Sequence, residues 1–306
     1  MKARWYRLFR ELFSKNIWVR MWEPLSFHTT IRIGGRAALF IFPSNVGSFK
    51  EALTVLKTAD VSYRKLGAGS NTIAPDEDME TAVISLSGFT GLSTSGGNLV
   101  AEAGVPLFKV LNLCIEEGLS GLEFLSGIPG SVGGAVRMNA GAFERSVADV
   151  LEDVRVLDED TGEIFTLRAE EAGFGYRKSI FFEKDWTVLS ARFKLVNADS
   201  EAVRREVVNH LKKRLATQPL ELPSAGSVFK RPVKDFYVGK AVEALGLKGY
   251  RIGDAAISEK HAGFIVNLGR ATYGDVVSLV RLVKMKVRES YGVDLETEVE
   301  FWGERP

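Results

Sequence analysis

The sequence has few of the residues that build disulfide frameworks and metal centres. It contains a single cysteine, Cys114, and three histidines, His28, His210 and His261, that lie far apart in the chain. One cysteine cannot form an intrachain disulfide or a cysteine-rich zinc or iron–sulfur centre, and scattered histidines disfavour a histidine metal site. We therefore expect no bound metal and a reducing compartment.

An excess of charge of one sign is also missing. The 306 residues carry 40 Lys and Arg against 39 Asp and Glu, which gives a formal net charge of +1 at pH 7. Such a chain has no global field that would attract nucleic acid, so we expect no nucleic-acid partner. The longest uncharged stretch, residues 81–101, is rich in Ser, Gly and Thr and cannot span a membrane. We expect a cytoplasmic monomer without an integral membrane segment.

The first twenty residues are strongly basic, with six Lys or Arg side chains and one acid, Glu11. Apolar residues recur there at helical spacing and predict an amphipathic helix over residues 1–15: Trp5, Leu8, Phe9, Leu12 and Phe13. Arg7 and Arg10 interrupt the apolar run that a secretory signal would need. The pattern allows a helix on a membrane surface, but it favours one that packs against its own protein.

The hydrophobic pattern predicts mixed helices and strands. Residues 38–42 read as a strand, Ser44 as a helix N-cap, and the following residues as one helix face: Val46, Phe49, Leu53 and Leu56. Residues 189–195 alternate apolar and polar side chains, as a half-buried strand does. Beyond residue 197 the pattern changes to a helix with a basic outer face and an apolar stripe of Val203, Val207, Leu211 and Leu215. We therefore expect two α+β domains, residues 1–196 and 197–306.

Two glycine-rich segments about sixty residues apart carry the first functional signal. Residues 67–71 read Gly-Ala-Gly-Ser-Asn, and residues 126–141 contain five glycines. Glycine lets a backbone approach a ligand closely, and successive N–H groups in such turns can bind a pyrophosphate. The first loop lacks the third glycine of the dinucleotide fingerprint, and no P-loop motif exists. Either loop alone could be a tight turn, but two of them favour a nucleotide ligand.

Seven segments, in this order along the chain, resemble the UDP-N-acetylenolpyruvoylglucosamine reductase (MurB) family. They are residues 28–35, 66–71, 122–136, 175–179, 223–230, 258–264 and 295–299, and the resemblance extends from Thr29 to Trp302. The stretch between Arg177 and Ser227 is short, which is similar to the short-loop (type II) subclass of that family.

This resemblance implies a fold, a cofactor and a reaction. The fold is a vanillyl-alcohol-oxidase (PCMH) type FAD domain with subdomains at about residues 20–75 and 76–196, followed by a smaller α+β substrate-binding domain. The reaction is reduction of the enolpyruvyl ether of UDP-N-acetylglucosamine to UDP-N-acetylmuramate by NADPH through noncovalent FAD. The residues implied for FAD are Gly67, Ala68, Gly69, Ser70, Asn71, Gly127, Ile128, Pro129, Gly130, Ser131, Gly133, Gly134 and Ala135.

The resemblance also implies three catalytic residues. Hydride addition to the alkene leaves negative charge beside the substrate carboxylate, and such charge requires a fixed cation or donor. Arg177 matches that position, and its planar fork can hold a carboxylate by two hydrogen bonds. Ser227 matches the proton donor, and Glu298 matches the carboxylate that orients or polarises the substrate. Without the resemblance, the three residues would read as a surface ion pair, a turn serine and a solvated acid.

Substrate contacts are less defined. Tyr176, Lys230 and Arg231 are candidates for the UDP phosphates and the sugar, although a basic loop is often only solvated. Arg231 and Ala256 stand where family members often carry Asn and Gln. His261 reads as a structural hydrogen-bonding residue, and Cys114 as packed and inert. Two alternatives remain open: a flavin oxidase of an alcohol or hydroxy acid within the same superfamily, and a non-catalytic UDP-sugar-binding protein.

Overall fold

The computed structural model describes residues 2–306 and contains seven α-helices and nineteen strands within them. The helices are α1 Lys2–Ser14, α2 Val46–Thr58, α3 Leu107–Glu116, α4 Val132–Arg137, α5 Ser200–Thr217, α6 Val238–Ala244 and α7 Tyr273–Tyr291. The strands up to residue 142 are β1 Trp18–Pro24, β2 Arg36–Phe42, β3 Tyr63–Leu66, β4 Thr72–Ile73, β5 Met79–Ser85, β6 Leu92–Ser95, β7 Asn98–Glu102, β8 Leu119–Ser120 and β9 Gly141–Ala142. The later strands are β10 Arg145–Ser146, β11 Leu151–Asp158, β12 Ile164–Arg168, β13 Trp186–Lys194, β14 Val196–Asn197, β15 Ser224–Ser227, β16 Arg251–Ile252, β17 Ala255–Ile257, β18 Phe264–Asn267 and β19 Glu300–Phe301.

The chain forms two compact units, and neither unit is one continuous segment. The first unit comprises residues 2–21, Leu39–Ala68 and Thr81–Lys213. The second comprises Trp22–Ala38, Gly69–Glu80 and Arg214–Pro306. The expected domains, residues 1–196 and 197–306, stay a prediction, because compactness alone does not test which segments act as functional domains.

The first unit is built around a five-stranded antiparallel sheet with the order β12-β11-β13-β7-β6. The strand predicted over residues 189–195 is confirmed within β13, and its apolar side chains Leu189, Ala191 and Phe193 are buried. These strands share one core with α3 and α4. The alternation of buried and exposed residues explains why this sheet could be read from the sequence.

A second sheet includes β2 and β3, the strands that precede and follow α2 in the chain. Its strand order is β1-β2-β5-β3, and β3 pairs with β5 in parallel. The predicted strand over residues 38–42 and the helix that follows it are confirmed, but the predicted N-cap is wrong. Asn45 rather than Ser44 caps α2, because the Asn45 side chain accepts a hydrogen bond from the Ser48 N–H at 2.9 Å.

The predicted N-terminal helix is confirmed over Lys2–Ser14, whereas Met1 lies outside the described residues. Trp5, Leu8 and Leu12 are buried, and α1 packs against α2. The guanidinium of Arg4 donates to the carbonyl oxygens of Ala59 and Asp60 just beyond the end of α2. The helix therefore packs on its own protein, as the sequence favoured.

The second unit contains the sheet β15-β18-β17-β16 and the parallel pair β19-β4. Helix α7 begins at a capping box formed by Thr272 and Asp275 and ends at Gly292, which has a positive φ of 66°. The buried side chains of α7, including Val276, Val280 and Val283, lie in one core with β17 and β18. This core includes Val228, next to the predicted serine, and Val299, next to the predicted glutamate.

Helix α5 departs from its predicted packing. The apolar stripe predicted a buried face, but only Val203 is buried along the helix, while Leu211 and Leu215 are exposed. Its outer residues make ion pairs within the helix, such as Arg204 with Glu201. None of the helices in residues 2–306 is both long and apolar enough to cross a membrane.

Candidate active site

Parts of the two glycine-rich segments lie side by side in the first unit. A Cβ atom placed on Gly67 would lie 2.9 Å from the Oγ of Ser131, which is closer than real Cβ contacts allow. A Cβ on Gly133 would likewise lie 2.9 Å from the Cβ of Ala103. Gly127 has a φ of 72°, in the left-handed region that favours glycine. Gly67 therefore allows the close approach of the two loops, while Gly133 allows the second loop to pack on Ala103.

The rest of the first loop belongs to the second unit and supports another segment there. Gly69 has a φ of 65°, and a Cβ on it would collide with the carbonyl oxygen of His28. The side-chain amide of Asn71 donates to the carbonyl oxygen of Glu298 at 3.1 Å, and the N–H of Glu300 donates to the Asn71 carbonyl at 2.8 Å. Asn71 thus holds the segment that carries the predicted catalytic glutamate.

Ser227 lies at the end of β15, next to the same segment. The N–H of Val228 donates to the carbonyl oxygen of Gly263 at 2.9 Å. The carbonyl oxygen of Val228 accepts from the N–H of Glu298 at 2.7 Å. Gly226, on the other side of Ser227, has a φ of 82° and open space where a Cβ would stand. The second unit therefore brings together Ser227, Glu298 and Asn71, which were predicted from segments far apart in sequence.

Arg177 occupies a tight turn in the first unit. Gly175 and Lys178 exchange backbone hydrogen bonds of 3.0 and 3.2 Å, and Arg177 between them has a φ of 53°. A positive φ is uncommon for an arginine and costs free energy, so it marks a turn that the surrounding structure holds in place. The guanidinium donates to the Gly141 carbonyl at 3.3 Å and lies 5.2 Å from the centre of the Tyr176 ring.

Asn139 holds this turn, and the sequence reasoning did not identify it. Its side-chain amide donates to the Gly175 carbonyl at 2.9 Å, and its oxygen accepts from the Ala148 N–H at 3.0 Å. The residue is buried and has a φ of 42°, a conformation that Asn tolerates better than most residues. An Asn–Ala–Gly sequence after a glycine-rich loop was the available signal, but its partners lie 9 and 36 residues away.

The predicted substrate-binding residues lie at the surface. The Lys230 ammonium is 3.2 Å from the exposed Glu296 carboxylate, and the Lys230 N–H donates to the Glu296 carbonyl at 2.9 Å. Arg231 donates to the Lys234 carbonyl at 3.2 Å, and its guanidinium lies 4.6 Å from the Tyr237 ring centre. Tyr176 is 55% exposed. A surface ion pair such as that of Lys230 is weak and can open for a ligand.

His261 and Cys114 have structural surroundings. The N–H of Gly263 donates to Nδ1 of His261 at 3.1 Å, and burial lowers the pKa of the imidazole below its ordinary value. Burial raises the pKa of the Cys114 thiol to about 12, with a smaller contribution from the negative charge of Glu123. A neutral thiol of this kind is a poor nucleophile, so its surroundings agree with an inert residue.

Both loops have a composition that suits the pyrophosphate of FAD. Neither residues 67–71 nor residues 127–135 include an acidic side chain that would repel a pyrophosphate. Gly67, Ala68 and Pro129 are exposed, so ligand can reach the backbone of both loops. The donors that these loops offer include backbone N–H groups and the Ser70 hydroxyl, which suit phosphate oxygens. The donor set fits the cofactor.

A cavity of about 370 Å³ in the first unit contains none of the predicted site residues. His210 lines it and stacks on Phe143 with 4.0 Å between ring centres. The Nε2 atom of His210 lies 3.0 Å from Glu206, and its buried Nδ1 atom has no hydrogen-bond partner among the described residues. Within those residues, no group of three or more His, Cys, Asp or Glu side chains is placed to hold a metal ion.

Two protein-family models match the chain. Residues 218–302 match the C-terminal domain of UDP-N-acetylenolpyruvoylglucosamine reductase, and residues 37–168 match an FAD binding domain.

Similar proteins of known name agree with these matches. A UDP-N-acetylenolpyruvoylglucosamine reductase from Thermotoga sp. (strain RQ2) is 46% identical over 97% of each chain. The protein of the same name from Thermotoga maritima is 47% identical over 92% of this chain and 98% of that protein. The crystal structure of UDP-N-acetylenolpyruvylglucosamine reductase (MurB) from Thermus caldophilus has a TM-score of 0.80 and 36% identity, and covers 94% of this chain and 99% of that one. The expected α+β fold with an FAD-binding domain is confirmed.

Proposed function

The chain belongs to the UDP-N-acetylenolpyruvoylglucosamine reductase family, and we propose how its own residues carry out that family's reaction. It is an FAD-dependent UDP-N-acetylmuramate dehydrogenase that uses NADPH and acts in peptidoglycan precursor synthesis. One observation carries this conclusion: 46% identity to a reductase of that name over 97% of both chains. The small molecules it binds are NADPH and the UDP-sugar.

The residues of the two glycine-rich loops, 67–71 and 127–135, would hold the FAD pyrophosphate. Support comes from the close packing of Gly67 on Ser131 and from the absence of acidic side chains in both loops. The chemistry that this group supplies when bound is two-electron transfer from NADPH to the terminal methylene carbon of the enolpyruvyl group. The protein residues then control the charge and the proton that this transfer requires.

Arg177 binds the carboxylate of the enolpyruvyl group. Negative charge develops beside that carboxylate, and a guanidinium fixed in advance stabilises it without reorganisation. The strained turn supports this role, because Arg177 is held in a left-handed conformation and Asn139 anchors the turn. Such strain is retained where a side chain must point in a defined direction.

Ser227 delivers the proton to the carbon that carries the developing charge. A serine hydroxyl is a weak acid, so this transfer requires excluded water and a group that stabilises the resulting alkoxide. Glu298 orients the substrate carboxylate beside it, and two carboxylates at short range favour protonation of one of them. The hydrogen bond between Val228 and Glu298 supports a joint action of these residues.

Tyr176, Lys230 and Arg231 bind the phosphates and sugar of the substrate. Their cationic groups and hydroxyl lie at the surface, and in the sequence they are close to the proposed catalytic residues. The ion pair of Lys230 with Glu296 is weak enough to exchange for a phosphate.

We also propose that the protein is a cytoplasmic monomer. The lone Cys114 suits a reducing compartment, and gel filtration at several protein concentrations tests the monomer.

An anaerobic titration tests the proposed reaction. The bound flavin is first bleached with NADPH, and the enolpyruvyl UDP-sugar is then added. We expect the yellow colour to return in proportion to the added sugar nucleotide, with UDP-N-acetylmuramate as the product. A protein that is purified colourless but binds the sugar nucleotide would instead be a binding protein. Reduction by an alcohol or hydroxy acid, with no response to the enolpyruvyl sugar, would identify an oxidase.

A further inference from the structure

One face of helix α1 packs against the rest of the protein, and other apolar side chains of the helix are exposed to solvent. Trp5, Leu8 and Leu12 are buried, whereas Tyr6 and Phe13 are 55% and 59% exposed. Phe9 lies between them, and the three rings form a stacked row with 6.3 and 6.0 Å between neighbouring ring centres. We call Tyr6, Phe9 and Phe13 the aromatic row. Tyr6 and Phe13 lie outside the buried face of α1, and Phe9 is half-buried.

Basic side chains flank the aromatic row. An α-helix turns about 100° per residue, which places Lys2 in line with the row and Arg10 roughly 40° from Tyr6. Glu11, the only acid of the helix, lies two positions from both Phe9 and Phe13 and therefore roughly 160° around the helix from them. Aromatic rings bordered by exposed cations are the features by which an interfacial helix binds an anionic bilayer.

The charge is concentrated at this end of the chain. Residues 2–20 carry six basic side chains and one acid, a net charge of +5, while the whole chain carries +1. The rest of the chain therefore carries a net charge of −4. An anionic surface would therefore attract the N-terminal helix and repel the rest of the molecule, which would orient the protein. The same charge opposes a second copy on this face, because symmetric pairing would bring like charges together.

Contacts within the protein also hold helix α1 in place before any ligand binds. The Arg4 guanidinium is occupied by the carbonyl oxygens beyond α2, and the buried face holds α1 against α2, so the row is ordered before any ligand arrives. Trp18, four residues beyond the helix, is 58% exposed as well. Trp and Tyr are favoured at membrane–water interfaces because their rings are apolar and their tips polar.

We propose that the aromatic row and its flanking cations bind the surface of an anionic lipid bilayer, so that this enzyme attaches peripherally through α1. The contact is interfacial and reversible. It does not depend on the catalytic residues or on the proposed reaction.

Co-sedimentation of the full-length holoenzyme with vesicles tests this proposal. We expect binding to phosphatidylglycerol vesicles at about 50 mM salt, little binding to phosphatidylcholine vesicles, and a loss of about tenfold or more at about 500 mM salt, where charges are screened. Lys2→Glu with Arg10→Glu should reduce binding to the anionic vesicles by about tenfold or more. Tyr6→Ser with Phe13→Ser should also reduce it by about tenfold, because less apolar surface is buried.

A matched control reverses two charges on another basic helix. Arg204→Glu with Arg205→Glu changes the net charge by the same amount on α5, and we expect binding to change less than about twofold. An equal loss in this control, or no binding of the wild-type protein to anionic vesicles, would overturn the proposal. The proposal would also be overturned if the protein formed a dimer that Tyr6→Ser with Phe13→Ser dissociates. If a variant does not fold by circular dichroism, the headgroup and salt dependence of the wild-type protein decides.

Discussion

Ser227 is the residue whose removal distinguishes the two halves of the reaction. Ser227→Ala deletes only the hydroxyl, and β15 keeps its backbone pairing with Phe264. We expect flavin reduction by NADPH to remain nearly unchanged, while reoxidation by the sugar nucleotide slows by about 10²- to 10⁴-fold, the usual effect of losing a general acid. Stopped-flow absorbance measures both steps separately. Equal slowing of both would mean that Ser227 has a structural role.

Arg177→Lys tests geometry at constant charge. Lysine retains the positive charge but lacks the planar fork that binds a carboxylate by two hydrogen bonds. We expect reoxidation by the substrate to slow by about 10²-fold or more, the order seen when one stabilising donor is lost. The same stopped-flow measurement applies, and Lys178→Arg at the exposed end of the turn serves as the control. A rate close to wild type would show that the guanidinium fork is not needed.

His261 should make stability depend on pH. Burial keeps its imidazole neutral and lowers its pKa below the ordinary 6.5. Just below pH 6.5 the unfolded chain therefore binds more protons than the folded protein, and the free energy of unfolding falls as the pH is lowered through this window. His261→Asn keeps an acceptor for the Gly263 N–H but cannot be protonated. Urea unfolding between pH 7.5 and 5.5 should show a weaker pH dependence in the variant; an unchanged dependence would contradict the argument.

The sequence named the reacting residues but not the residues that hold them. Arg177, Ser227 and Glu298 were found because their neighbouring motifs resemble a known family, and their roles stay predictions. Asn139 and the bond from Asn71 to Glu298 were missed, because each depends on a partner far away in the chain. A motif reports which side chain is present, whereas the contact that orients it exists only after folding.

At the scale of elements, the start of α2 shows how a local pattern can mislead. Ser44 follows a proline and resembles an N-cap, but α2 begins only at Val46, so Asn45 occupies the cap position. Asn45 is extended, with a φ of −160°, and exchanges hydrogen bonds with Ser48 in a capping box. Helix boundaries depend on such backbone angles, which hydrophobic spacing does not report.

The cap gives a direct test by paired substitutions. Asn45→Ala removes the acceptor for the Ser48 N–H and should lower the free energy of unfolding by about 1 kcal/mol. Ser44→Ala should change it by less than about 0.5 kcal/mol, because Ser44 does not cap the helix. Urea denaturation followed by circular dichroism compares the two. A larger effect at Ser44 would restore the cap that the sequence suggested.

Helix α5 limits prediction from periodicity in another way. Its apolar stripe has helical spacing, and the helix is present, but Leu211 and Leu215 remain exposed. Spacing determines which side chains share a face, while burial depends on what the fold places opposite that face. The row on α1 shows the same limit, because Phe13 belongs to the predicted apolar pattern yet is exposed.

For the whole molecule, composition could not reveal the path of the chain. The sequence predicted two consecutive domains, whereas the second compact unit gathers residues 22–38 and 69–80 with the C-terminal segment. The parallel pairing of β4 with β19 joins strands more than 220 residues apart, and no local pattern reports such a pairing. The same pairing explains why the first glycine loop supports the segment of Glu298.

The single cysteine and the three histidines of the chain favour noncovalent attachment of the flavin. Covalent attachment requires an accessible histidine or cysteine, and the first glycine loop offers Ser70 and Asn71 instead. Cys114 is buried with a pKa raised to about 12, His28 pairs with Glu23 at 2.9 Å, and Nδ1 of His261 is hydrogen bonded. Nε2 of His210 pairs with Glu206 at 3.0 Å, and its Nδ1 atom is buried. We therefore expect acid precipitation to leave a white pellet and to release the yellow FAD into the supernatant. The apoprotein should unfold at a lower temperature and regain its stability when free FAD is returned, because a ligand that binds only the folded state stabilises it. A yellow pellet would mean a covalent bond, and it would favour the oxidase over the reductase.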